Sequence, residues 1–172
     1  MKEDNKKKLE SLLNKYDERE TAQKQEVQKV QEVRNKFLDG FDKLCADIIK
    51  PAMEEIGATL KAQGHDFKIG TQQEKKDDKG VLLDARITMN IFPKGKGSPH
   101  GYSSSPPAHV MFFADKYKEE IGVHENNIVP SGGSGSAGGK GKKYTLTTLT
   151  KEAVEEEIVD SLGKILKLKG NF

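Results

Sequence analysis

The chain has 172 residues, about one domain's worth, but 33% of them are charged and only 34% hydrophobic, so part of it must lie outside a packed core. A net charge of +2 predicts no general preference for polyanions, and the single cysteine, Cys45, excludes an internal disulfide and a cysteine-built zinc site. No apolar run approaches 18 residues and the polar start MKEDNKKKLE has no signal-peptide core, which predicts a soluble, cytoplasmic protein without membrane association.

From about Asn5 to about Gln63 the pattern predicts one long helical tract. Leu9, Leu13, Tyr16, Val27, Val30, Phe37, Phe41, Leu44 and Ile48 recur at spacings of three and four and hold one heptad register, with Leu13 at a and Tyr16 at d. So narrow a stripe on a charged helix predicts a coiled-coil seam of Leu9, Leu13, Tyr16, Val27, Val30, Phe37 and Phe41. Tyr16, Glu20, Gln23 and Arg34 are polar at seam positions; such residues weaken a helix pair and can fix its register or partner. A straight helix of this length would span roughly 90 Å. Helical stability comes mostly from burying a face, so it needs a partner.

Beyond Lys36 the apolar face widens. Leu38, Cys45, Ile49, Ala52, Met53, Ile56 and Leu60 add a second residue on most turns, enough to lie on a sheet. The expected organisation is therefore a coiled-coil-like helical extension over residues 1–36 and an α+β domain over 37–172. Pro51 predicts a kink or a fresh helix start, and Gly64 suits the stop. Asp39-Gly40 offers a competing turn, against which the unbroken register from Phe37 to Phe41 counts.

The period then becomes two. In VLLDARITMNIF (81–92), Leu83, Ala85, Ile87, Met89 and Ile91 face one way, and Asp84, Arg86, Thr88 and Asn90 the other. DFKIGTQQ (66–73) reads as its hairpin partner, AHVMFFA (108–114) as a third strand, part of EIGVHENNIV (120–129) as a fourth, and KKYTLTTL (142–149) as the last. The closing helix is capped by Thr150, with Leu149 and Val154 at staple positions, Glu152 and Glu155 at its positive end and Gly170 as its stop. Val154, Ile158, Leu162 and Ile165 form its inner stripe. The fold class is α+β: a long N-terminal helix, an antiparallel sheet of four to five strands and a C-terminal helix, with the helices on one face.

Gly133, Gly135 and Gly138 fit G-x-G-x-x-G, but that string serves a dinucleotide only after a strand and before a helix, whereas this one precedes a strand. The P-loop pattern fails because Ser134 and Gly141 stand where it needs glycine and Ser or Thr. The segment reads as an inter-strand connection. Net charge is −1 over residues 1–66, +4 over 67–143 and −1 over 144–172, so the positive charge concentrates in the middle of the chain. In a simple meander the loops 93–107 and 130–143 would leave one end of the sheet together. Lys94, Lys96, His100, Tyr102, Lys140, Lys142 and Lys143 could then hold phosphate or a nucleic-acid backbone.

Other chemistry is sparse. His65, His100, His109 and His124 have no metal-ligand spacing, no G-x-S-x-G elbow occurs, and Cys45 sits among apolar residues. Glu155, Glu156 and Glu157 read as solvated charge at a helix start. No metal and no cofactor are expected. The leading expectation is a non-enzymatic oligomerising adaptor, a homodimer or the partner of another coiled-coil protein. The alternative is anion, nucleotide or nucleic-acid binding through the two loops, and a third reading is an enzyme site built from His100, Tyr102 and His109.

Overall fold

The computed structural model describes residues 2–94, 107–126 and 142–167. Its contacts divide the chain into two compact units, Met1–Lys36 and Phe37–Phe172. Helix α1 (Glu3–Leu44) passes into a π turn (Cys45–Ile49) and then into α2 (Lys50–Ala62). Asp39-Gly40 is helical. A glycine costs a helix about 1 kcal/mol relative to alanine. Here it admits Leu146, whose Cδ1 would lie 2.6 Å from any Cβ at position 40.

Pro51 enters the first turn of α2 with no break in the helical run. The preceding turn does the work. A proline lacks the N–H and crowds the carbonyl four residues back, and the wider π turn relieves both, with the Lys50 N–H donating to the Cys45 carbonyl five residues earlier. At the other end, Gly64 has φ +81°, its N–H donates to the Lys61 carbonyl at 2.9 Å, and the His65 N–H donates to the Leu60 carbonyl at 3.0 Å. That is a complete Schellman stop.

Among the described residues seven strands follow: β1 (Asp66–Gln72), β2 (Lys75–Lys76), β3 (Leu82–Leu83), β4 (Arg86–Phe92), β5 (Ala108–Asp115), β6 (Glu120–Asn126) and β7 (Lys143–Tyr144). Five form an antiparallel meander in the order β1-β4-β5-β6-β7, and β2 with β3 makes a separate two-stranded ribbon. Two strand expectations change in detail. VLLDARITMNIF is divided at Asp84-Ala85, because its first part belongs to the ribbon, closed by an Asp77 carboxylate that accepts from the Lys79 and Val81 N–H groups. KKYTLTTL is a strand only at Lys143–Tyr144. Thr148 Oγ1 accepts the Thr145 N–H at 2.8 Å, and the Thr148 and Leu149 N–H groups return to the Thr145 carbonyl, turning the chain so that Leu149 becomes buried.

The C-terminal helix α3 (Lys151–Lys167) starts as its caps require: Thr150 Oγ1 accepts the Ala153 N–H at 3.3 Å, and Leu149 and Val154 are both buried. Its stripe of Val154, Ile158, Leu162 and Ile165 is buried, while Gly170 lies outside the described residues. Alternate residues of β4, β5 and β6 are buried with the inner stripes of α2, α3 and the last residues of α1 (Phe37, Phe41 and Leu44), so within the second unit the helices lie on one face of the sheet.

Cys45 belongs to this core. Burial, reinforced by the nearby Asp42 charge, pushes its thiol from 9.0 up to about 12. A folded state that holds a proton the unfolded chain releases loses stability as pH rises between those values. The expected loss is on the order of a few kcal/mol by pH 12. It should be absent in Cys45→Ala, as urea titrations at pH 8, 9 and 10 would reveal, and the native thiol should resist disulfide reagents.

Candidate interaction surfaces

In the first unit every described side chain through Val33 is exposed. Leu9, Leu13, Tyr16, Val27 and Val30 are between 42% and 68% accessible, and Leu12 and Val33, at the flanking g position, add to the same strip. Glu20, which interrupts the strip, is held by Lys24 at 2.8 Å. The remaining two seam residues are placed differently. Phe37 and Phe41 are 4% and 1% exposed in the core of the second unit, where they are closed to any partner helix.

The meander brings Phe92, Ala108 and Asn126 to one end of the sheet, where the connections following β4 and β6 leave. Of the residues expected to bind anions there, Lys96, His100, Tyr102 and Lys140 lie outside the described residues, as do Gly133, Gly135 and Gly138. Lys94 is exposed, with its N–H donating to His65 Nδ1 at 3.1 Å. Lys142 lies 3.5 Å from Glu156 and 3.4 Å from Glu157, which hold its ammonium above the ordinary range. Lys143 lies 2.6 Å from Glu120 and pairs with Gly122, four residues and about 13 Å along β6 from Asn126. Two of the expected cations are thus neutralised by carboxylates.

Glu157 is more than solvated charge. Its carboxylate is 13% exposed and accepts the Tyr144 hydroxyl at 2.6 Å. Burial first, and this carboxylate second, hold the Tyr144 phenol well above its usual range. Glu125 likewise accepts from Ser161 at 3.0 Å and Lys164 at 2.8 Å. No spacing in the sequence announces these pairs, because each joins a strand to α3.

The sheet face opposite the helices carries Arg86, Asn90, His109, Met111, Phe113 and His124, all half-buried. Phe113 lies across Gly122, where a Cβ would meet its Cζ at 2.3 Å. The His109 and His124 rings are 5.9 Å apart, and His109 Nδ1 is 3.2 Å from the Pro107 carbonyl. Burial lowers the His109 pKa against the Pro107 hydrogen bond, which raises it, with smaller lowering contributions from His124 and Arg86.

No family model, curated protein or solved structure matches this chain. Among the described residues no group of three or more His, Cys, Asp or Glu could hold a metal ion, and no helix is long and apolar enough to cross a membrane.

Proposed function

We propose that the protein is a non-enzymatic interaction protein that self-associates through the apolar strip of its first unit. The observation behind this reading is the exposure of Leu9, Leu12, Leu13, Tyr16, Val27, Val30 and Val33 on 34 residues of helix with one heptad phase. Each such side chain contributes about 1.5–3 kcal/mol when a partner removes it from water. Lone helices gain their stability mainly from burial of this kind. A second copy supplies a matching strip, and Glu20 and Gln23 within it restrict which registers pair well.

Light scattering of the full chain at micromolar concentration tests the reading. The expected mass is twice 19.1 kDa, falling to 19.1 kDa in Val27→Asp/Val30→Asp. A wild-type chain that stays at the single mass overturns it. Anion binding through residues 93–107 and 130–143 is the weaker reading, since Lys142 and Lys143 already face acids.

A further inference from the structure

Strand β1 forms one edge of the five-stranded sheet, pairing with β4 through seven consecutive residues. Among the described residues no strand pairs with its other side. Natural sheets blunt such edges with proline, bulges, short strands or runs of lysine. This edge has a continuous seven-residue register, no proline, and one lysine, Lys68.

Beside the edge, on the helix-bearing face, a groove of about 350 Å³ opens between β1 and α2, lined by Lys50, Glu54, Lys61, Phe67, Ile69 and Thr71. Its volume falls within the range of about 300–1,000 Å³ typical of ligand sites. Phe67, Ile69 and Thr71 are alternate residues of one strand face, paired with the buried Ile91, Met89 and Ile87. Phe67 can lie flat on α2 because residue 57 is glycine, where a Cβ would meet the ring at 2.2 Å. Phe67 and Ile69 thus give the groove two apolar floor positions beside Thr71, while Lys50, Glu54 and Lys61 line its helix side.

The charges fix the kind of occupant. Helix α2 runs back against β1 through the Gly64 turn, so Lys61 lies at the Phe67 end and Lys50 at the other. Eleven helical rises separate the two lysines, about 16 Å, or about five residues of extended chain, and the reach of the two lysine side chains extends this to the six-residue spacing that puts both acids on one face of a strand. Neither lysine is firmly held: Lys50 is 3.9 Å from Glu54 and Lys61 is 3.8 Å from Asp66, with both lysine side chains more than half exposed. Exposed pairs of this kind contribute little and exchange readily. Lys61 also lies 5.2 Å from the Phe67 ring centroid.

We infer that the β1 edge and its groove form a docking site for an extended segment of a partner protein, with apolar side chains at alternate positions and an acidic residue at either end. The segment adds as a sixth strand. Main-chain hydrogen bonds to β1 provide affinity, Phe67 and Ile69 receive the apolar side chains, and Lys50 and Lys61 select the acidic ends. Antiparallel pairing of two β1 edges is the competing occupant, but it brings equal numbers of the same lysines together and leaves them without acidic complements beyond those already present.

Fluorescence anisotropy with the labelled peptide ETVTVTE against the full chain provides the test, since its residues 1, 3, 5 and 7 share one face. Saturable binding is expected, at least tenfold weaker for KTVTVTK. In Lys50→Glu/Lys61→Glu, an exposed double change that leaves the core intact, the preference should reverse. Amide shifts on peptide addition should centre on Asp66–Gln72. Absence of saturation for both peptides, or the same preference in the charge-reversed variant, overturns the proposal. So does a Val27→Asp/Val30→Asp chain that remains dimeric with the β1 amides protected from hydrogen exchange, which would assign the edge to a second copy.

Discussion

Phe41→Ala is expected to lower the stability of the second unit by about 3–5 kcal/mol, the range for emptying a buried phenylalanine site. Phe41 is 1% exposed and lies in one core with Phe37, Leu44, Ile49 and the strand residues Ile87 and Phe112. Removing the ring deletes its transfer energy and leaves a cavity, because helices on a sheet collapse only in part. The informative contrast is with the same heptad position two heptads earlier. Val27 is 68% exposed, and Val27→Asp should change unit stability by no more than about 0.5 kcal/mol while altering association. Urea titrations followed by circular dichroism would separate the two. An unchanged midpoint for Phe41→Ala would mean that this ring lies outside the core.

Glu74→Ala is the second large effect. Lys116 is buried to 9% exposure in the turn after β5, and its Nζ lies 2.7 Å from each oxygen of the Glu74 carboxylate. With the acid removed, the ammonium keeps its desolvation cost and loses its partner. A full buried-pair loss is about 3–5 kcal/mol, and because Glu74 is itself 22% exposed about 2–4 kcal/mol is expected. Lys116→Met added to Glu74→Ala should recover most of it, since the charge then leaves with its partner. A single-variant loss below about 1 kcal/mol would place the pair in the class of surface bridges.

The helices were legible because their signals are local: Thr150 with Leu149 and Val154 at one start, Gly64 at one stop, Pro51 at a boundary. The period-two strands were legible for the same reason. Four features were not. The heptad register runs through both Val30 and Phe41, yet it carries no information about which stretch meets the sheet, so it groups Phe37 and Phe41 with residues of a different fate. KKYTLTTL has the β-branched alternation of a strand, and only the threonine hydroxyl geometry shows why it turns. The ion pairs of Glu74, Glu125 and Glu157 join residues 42, 39 and 15 positions apart, beyond the reach of any helical or strand period. The groove beside β1 was equally invisible, because it depends on the strand order as much as on Phe67 and Ile69.

The π turn at Cys45–Ile49 also resets the rotational phase of the helix. Counted in heptads from Phe41 and Leu44, the next inward positions would be Ile48, Pro51 and Glu55. The residues that point inward are instead Ile49, Ala52 and Ile56, each one place later. One additional residue in a turn rotates everything after it by about 100°. That slip carries the proline and Glu55 away from the core and delivers Ala52 and Met53 to it. The helical run thus reads its own sequence in two frames, with Pro51 marking where the second begins.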